Sequence, residues 1–87
     1  MAGPKIRVLL VEDNPDDALL VQEMMKSESS AQYEFSVENT LRGAQERLHK
    51  ETFDLMLLDL NLPDSRGLAT MKSLQGSVPD LAIVVIT

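Results

Sequence analysis

The sequence contains no cysteine, and aromatic residues make up only 3% of it. Without cysteine there is no disulfide framework and no thiolate metal site, which fits a reducing compartment. With so few rings, a base-stacking platform for single-stranded nucleic acid is not expected. Basic residues are scarce as well: 8 Lys and Arg stand against 14 Asp and Glu, for a formal net charge of -6. That balance, with no basic cluster, argues against nucleic acid and anionic membrane surfaces as partners. No apolar run approaches the ~20 residues of a membrane span, and the N-terminus lacks the long apolar core of a signal peptide. The expected location is cytoplasmic.

What is present has the balance of a folded domain. Hydrophobic residues make up 44% of the chain and charged residues 25%. Its 87 residues suit one small domain, 1–87, and carry no internal repeat and no low-complexity segment.

The pattern alternates strand and helix. After a loose leader, Met1 to Pro4, the run Lys5 to Val11 predicts a first strand. It ends in Glu12-Asp13. Asn14 then suits a helix N-cap, Pro15 the first helical position, and Asp16 and Asp17 the positive end of the dipole. This helix is expected to reach Lys26 or Ser27, with a broad apolar face of Ala18, Val21 and Met25 flanked by Leu20 and Met24. A polar break, Ser27 to Ser30, precedes Tyr33 to Val37, whose alternation predicts a half-exposed edge strand. Asn39-Thr40 can cap a second helix, Leu41 to Lys50, which Gly43 weakens. Its His49 reads as an exposed partner of the helix C-terminus rather than a phosphodonor. Next comes Asp54-Leu55-Met56-Leu57-Leu58-Asp59, an apolar run suited to a strand buried on both faces. Asn61 to Gly67 reads as a loop, with Gly67 a backbone requirement. A third helix follows, with Leu68, Met71 and Leu74 on one face, Gly76 placed to end it and Pro79 to stop its continuation. Leu81 to Thr87 closes the pattern as a fourth strand. Such alternation with short connections predicts an α/β fold, a parallel sheet with helices on both faces.

In such a sheet, ligands bind beyond the carboxyl ends of the strands. The first strand ends in Glu12 and Asp13, the third in Asp59 and the fourth in Thr87. If the first and third are neighbours, three carboxylates converge and raise one another's pKa. A hard divalent cation relieves that repulsion, and Mg2+ favours a few carboxylates together with water and phosphate oxygens.

These stretches resemble the receiver domain of two-component response regulators. The resemblance rests on Val8-Leu9-Leu10-Val11-Glu12-Asp13-Asn14, on Phe53 to Asp64 with Asp59 at its centre, on Gly67, and on Ile83-Val84-Val85-Ile86-Thr87. It implies a flavodoxin-like (CheY-like) sheet of strand order 2-1-3-4, the first four of the family's five strands. Asp59 would be the phosphoacceptor, supplied by a sensor histidine kinase or a phosphotransfer protein. Asp13 would bind Mg2+ directly, with Glu12 holding the metal or its water and the Asn61 backbone carbonyl as a further ligand. Thr87 would be the switch hydroxyl on the phosphoryl group. The implied protein is a signalling switch, not a turnover enzyme. The family's fifth strand, with its Lys, and the last two helices have no counterpart in these 87 residues.

Two other functions share parts of this pattern. A phosphatase of the haloacid-dehalogenase type also uses an aspartyl nucleophile after a strand, but wants a second Asp where Asn61 stands. A receiver-like module that dimerises without taking phosphate is the other. An uncharged, apolar fourth strand left at a sheet edge is a template for pairing. It predicts a homodimer, or completion by another chain, through Leu81 to Ile86.

Overall fold

Val8, Leu9, Leu10 and Val11 have no exposed surface at all. The computed structural model, which describes residues 5–28, 31–67, 69, 72, 74, 76 and 81–86, places them in the middle of a sheet. The strand that carries them, β1 (Lys5–Val11), lies between β2 (Gln32–Glu38) and β3 (Leu55–Leu58). The fourth strand of this sheet, β6 (Ala82–Val85), pairs with β3, and every pairing is parallel. The order β2-β1-β3-β6 is the predicted 2-1-3-4 arrangement.

Side chains alternate across a strand, so a strand covered on both sides must be apolar throughout. Val8 and Leu10 face one way and pack with Leu57 and with Ala18 of α1 (Pro15–Glu28). Leu9 and Val11 face the other way, with Met56 and Leu58, against Leu41 and Ala44 of α2 (Leu41–Lys50). Leu74 joins this second cluster from a helical stretch described at residues 69, 72, 74 and 76. Each large side chain so buried stabilises the fold by about 1.5–3 kcal/mol. Together they fix which strand ends come side by side.

The start of α1 follows its sequence signals. Asn14 Oδ1 accepts the N–H groups of Asp16 at 2.9 Å and Asp17 at 3.2 Å. The buried stripe is narrower than expected: Ala18, Val21 and Met25 face the sheet, while Leu20 is 57% and Met24 56% exposed. At about 100° per residue these two sit roughly 200° and 240° round the helix from Ala18, on the far side. Leu19, also 57% exposed, extends the apolar surface.

Gly43 has a reason the sequence pattern did not carry. A Cβ there would stand 2.5 Å from Glu38 Oε1, so the glycine lets the Glu38 carboxylate lie against α2.

The stretch Asn61 to Gly67 is not an open loop. It folds into a hairpin of two short antiparallel strands, β4 (Asn61–Leu62) and β5 (Ser65–Arg66), turning at Pro63 and Asp64. Leu62 drives this: at 1% exposure it is part of the core, which drags its neighbours into register. Gly67 closes the base at φ +63, a conformation that favours glycine, and its N–H donates to the Leu60 carbonyl at 2.7 Å.

The fourth strand is flanked only by β3 among the described residues. Ile83 is half-buried, whereas Val84 is 48% and Val85 40% exposed. Gly76 is itself helical, not the residue just past a helix end that its position predicts. The expectations for Met1 to Pro4, Ser29, Ser30, Leu68, Met71, Pro79 and Thr87 fall outside the described residues. No helix among the described residues is long and apolar enough to cross a membrane.

Candidate functional site

The parallel register sets the site. Val11 pairs with Leu58, so the next residue of each strand, Glu12 and Asp59, emerges at the same sheet edge. The backbone holds both in place: Asp59 N–H donates to the Val11 carbonyl at 3.0 Å, and Glu12 N–H to the Glu38 carbonyl at 3.0 Å. Asp13 follows Glu12 out into solvent. Carboxylate oxygens of Glu12, Asp13 and Asp59 all lie within 4.8 Å of one another.

Two of these three acids are buried, Glu12 at 4% and Asp59 at 6% exposure. Burial is the main reason that the Glu12 carboxyl is pushed up to about 7, with the hydrogen bond and the negative charge of Asp59 adding to it. The Asn14 N–H, 3.1 Å from Glu12 Oε1, opposes the shift. Asp59 is steadied from the hairpin, because the Asn61 N–H donates to its Oδ1 at 2.8 Å.

The donor set fits a hard divalent cation. All three groups offer oxygen, the ligand atom that such a cation takes. A cleft lined by Asp13, Asn61, Leu62 and Pro63 gives access from the hairpin side. A second, lined by Glu12, Asp13, Pro15, Val37, Glu38 and Asn39, opens towards β2.

Of the residues singled out from sequence, Glu12, Asp13, Asp59 and Asn61 thus come together. Thr87 lies outside the described residues, and His49 is exposed in the last turn of α2. Sequence reasoning missed Asp64. This hairpin residue accepts the N–H of Leu41 on Oδ1 at 2.8 Å and of Arg42 on Oδ2 at 2.9 Å. Those two donors hold its carboxyl below the usual range. The partners are more than twenty positions apart in the chain, so no local pattern betrays the contact.

Known proteins carry the same framework. The family model for the response regulator receiver domain matches residues 8–87. The transcriptional regulatory protein ZraR of Escherichia coli (strain K12) is 25% identical over 87 residues, covering 100% of this chain and 19% of ZraR. The cell cycle transcriptional regulator CtrA of Caulobacter vibrioides is 36% identical over 84 residues, covering 94% of this chain and 34% of CtrA. Among solved structures, the response regulator TrrA of Thermotoga maritima in complex with Mg(2+)-BeF superposes with a TM-score of 0.78 at 25% identity, covering 92% of this chain and 67% of that one. TrrA has also been solved in complex with the histidine kinase ThkA. The chain therefore spans a fifth to a third of these curated relatives and about two thirds of the TrrA chain. The match sets aside the haloacid-dehalogenase reading. Running from the central strand through the acid cluster to the last residue, it makes this chain a member of the response regulator receiver domain family.

Proposed function

We propose that Asp59 accepts a phosphoryl group from a histidine kinase or a phosphotransfer protein, with Mg2+, and that the domain works as a phosphorylation-dependent signalling switch. The observation that carries this reading is the convergence of Asp59 with Glu12 and Asp13 at one sheet edge. Glu12, Asp13, Asp59 and the Asn61 backbone carbonyl would hold the cation. Mg2+ bound there supplies positive charge against the oxygens of the transferring group.

This chain's own residues do the rest. One Asp59 carboxylate oxygen forms the new P–O bond as the donor's P–N bond breaks, and the electron pair returns to the imidazole nitrogen. The Asn61 N–H restrains that carboxylate by holding Oδ1. Glu12 gives up its proton before it can bind a cation. Thr87 would contact the transferred group from the fourth strand, and residues 1–87 would form one receiver unit up to that strand. Leu19, Leu20 and Met24, exposed on the helix that starts beside Asp13, offer apolar surface for a protein donor.

The test is intact mass after incubation with a small phosphodonor and Mg2+. A gain of one phosphoryl group is expected, lost in Asp59→Asn and in chelator. No gain in a folded sample would sink the phosphoacceptor reading and favour the interaction module.

Dimerisation is a second element of the proposal, supported by the exposure of Val84 and Val85 on β6. Two copies, or another chain, would pair along that edge. Light scattering after size exclusion at tens of micromolar should give a dimer, and a monodisperse monomer would remove this part.

A further inference from the structure

The tip of the β4–β5 hairpin holds a carboxylate that the phosphoacceptor reading leaves unused. Asp64 takes the first two N–H groups of α2, Leu41 at 2.8 Å and Arg42 at 2.9 Å. A helix leaves these donors without carbonyl partners. The third, Gly43 N–H, goes to Thr40 Oγ1 at 3.0 Å. The two caps differ in reach. Thr40 is local to the helix, whereas Asp64 ties the helix to a different part of the chain.

What hangs on that tie is Asn61. Each strand of the hairpin has two residues, far too few to be stable alone. Beyond its own closing bond, Gly67 N–H to the Leu60 carbonyl, it is held from outside at two places: Leu62 in the core and Asp64 on α2. Asn61 lies in the strand that runs from that closing bond to the tip, next to Leu62 and paired with Arg66. Its N–H holds Asp59 Oδ1, and it lines a cleft together with Asp13.

We propose that Asp64 is a positioning residue for the acceptor site: by pinning the hairpin tip to the N-terminus of α2, it holds the Asn61 backbone against Asp59 and keeps its carbonyl beside the acids for the cation. The proposal rests on the reading of Asp59 as Mg2+-dependent phosphoacceptor. Asp64 touches neither the cation nor the phosphoryl group. It acts through Asn61.

The experiment compares Asp64→Asn with Thr40→Ala in the whole 87-residue chain. Both weaken α2 capping, but only the first, which leaves one acceptor oxygen for two N–H groups, loosens the tie to the hairpin. The readouts are Mg2+ affinity by calorimetry and hydrogen exchange of the Asn61 amide by NMR. Asp64→Asn should weaken Mg2+ binding about tenfold, as loss of a ligand-orienting partner does. It should also speed exchange at Asn61, and Thr40→Ala should do neither. Phosphorylation of Asp64→Asn should recover at saturating Mg2+, because the acceptor is intact. Equal effects of the two variants, or none, would overturn the proposal. If Asp64→Asn fails to fold, Asp64→Glu retains the charge while displacing the tip, and the same readouts apply. If the wild type binds no Mg2+, the phosphoacceptor reading fails, and exchange at Asn61 still decides whether Asp64 holds the hairpin.

Discussion

Two clusters of charge flank β1, and they are built on opposite plans. Beside the strand, Arg7 meets Glu51 at 2.6 Å and Glu34 at 3.6 Å, and Arg47 links Glu51, at 3.3 Å, to Glu38, at 2.7 Å, the residue that pairs with Val11. Signs alternate along this ladder. Arg7 also donates to the Thr52 carbonyl at 2.8 Å and stands 5.0 Å over the Phe53 ring. Just past the end of β1, Glu12, Asp13 and Asp59 bring together charges of one sign. The ladder is complete as it stands and ties α2 to the sheet. The acid cluster is relieved by a proton on Glu12, and a cation bound there would relieve it further.

Asp59→Asn should break this comparison most sharply. With Asp59 as the proposed acceptor, the change should abolish the phosphoryl gain in intact mass, whereas Arg47→Ala, which cuts the ladder, should leave that gain unchanged. The same Asp59→Asn change takes one buried charge from beside Glu12. The metal-free variant should therefore unfold at higher urea than the wild type at pH 8, a direction opposite to that of Arg47→Ala.

The clusters should also part company with pH. The Glu12 carboxyl is raised from 4.5 to about 7 by burial and by Asp59. Between those values the folded protein holds a proton that the unfolded chain has released. The associated stability is fully present below 4.5 and is lost as pH rises through 7. At 1.36 kcal/mol per pH unit the fall amounts to roughly 3 kcal/mol. Urea midpoints of the metal-free protein should decline from pH 5 to pH 8, and saturating Mg2+ should offset the decline by binding the ionised acids. Asp64 works in the other sense, because its carboxyl is lowered from 3.8, but its effect lies below this window. A flat metal-free profile would refute the buried, protonated Glu12.

The acid cluster was legible in the sequence because each of its members ends a strand. Apolar runs at β1 and β3 announce parallel neighbours, and adjacency in such a sheet places the residues after Val11 and Leu58 side by side. The caps of α1 at Asn14 and of α2 at Thr40 were legible for a similar reason, since each is a contact within one turn. The ladder and the Asp64 clamp were not. Arg7 and Glu51, or Asp64 and Leu41, meet only after the chain has crossed the sheet, and neither pair has a spacing that sets it apart from solvated charge. The hairpin at Asn61 to Arg66 escaped because two-residue strands carry too little alternation to register. Leu20 and Met24 misled because an apolar residue on a helix predicts burial only if something covers that side.

Gly43 offers the finest test of how tightly the ladder is set. Gly to Ala inside a helix normally stabilises by about 1 kcal/mol. Here the new Cβ would meet Glu38 Oε1 at 2.5 Å. That oxygen is the far end of a flexible side chain, which ordinarily swings away at little cost. Its partner oxygen, however, is held by Arg47 at 2.7 Å. Gly43→Ala in the wild type should therefore gain nothing, because the helical advantage is spent on displacing a pinned carboxylate. Arg47→Ala alone should cost about 1 kcal/mol, as for a partly exposed pair. In that background Glu38 is free to move, and Gly43→Ala should now stabilise. Urea midpoints of the four proteins give the coupling directly. A coupling near 1 kcal/mol means that the ladder holds Glu38 rigidly against α2. Additive changes would mean that the ion pair is loose in solution, and the contrast with the acid cluster would then rest on sign alone and not on order.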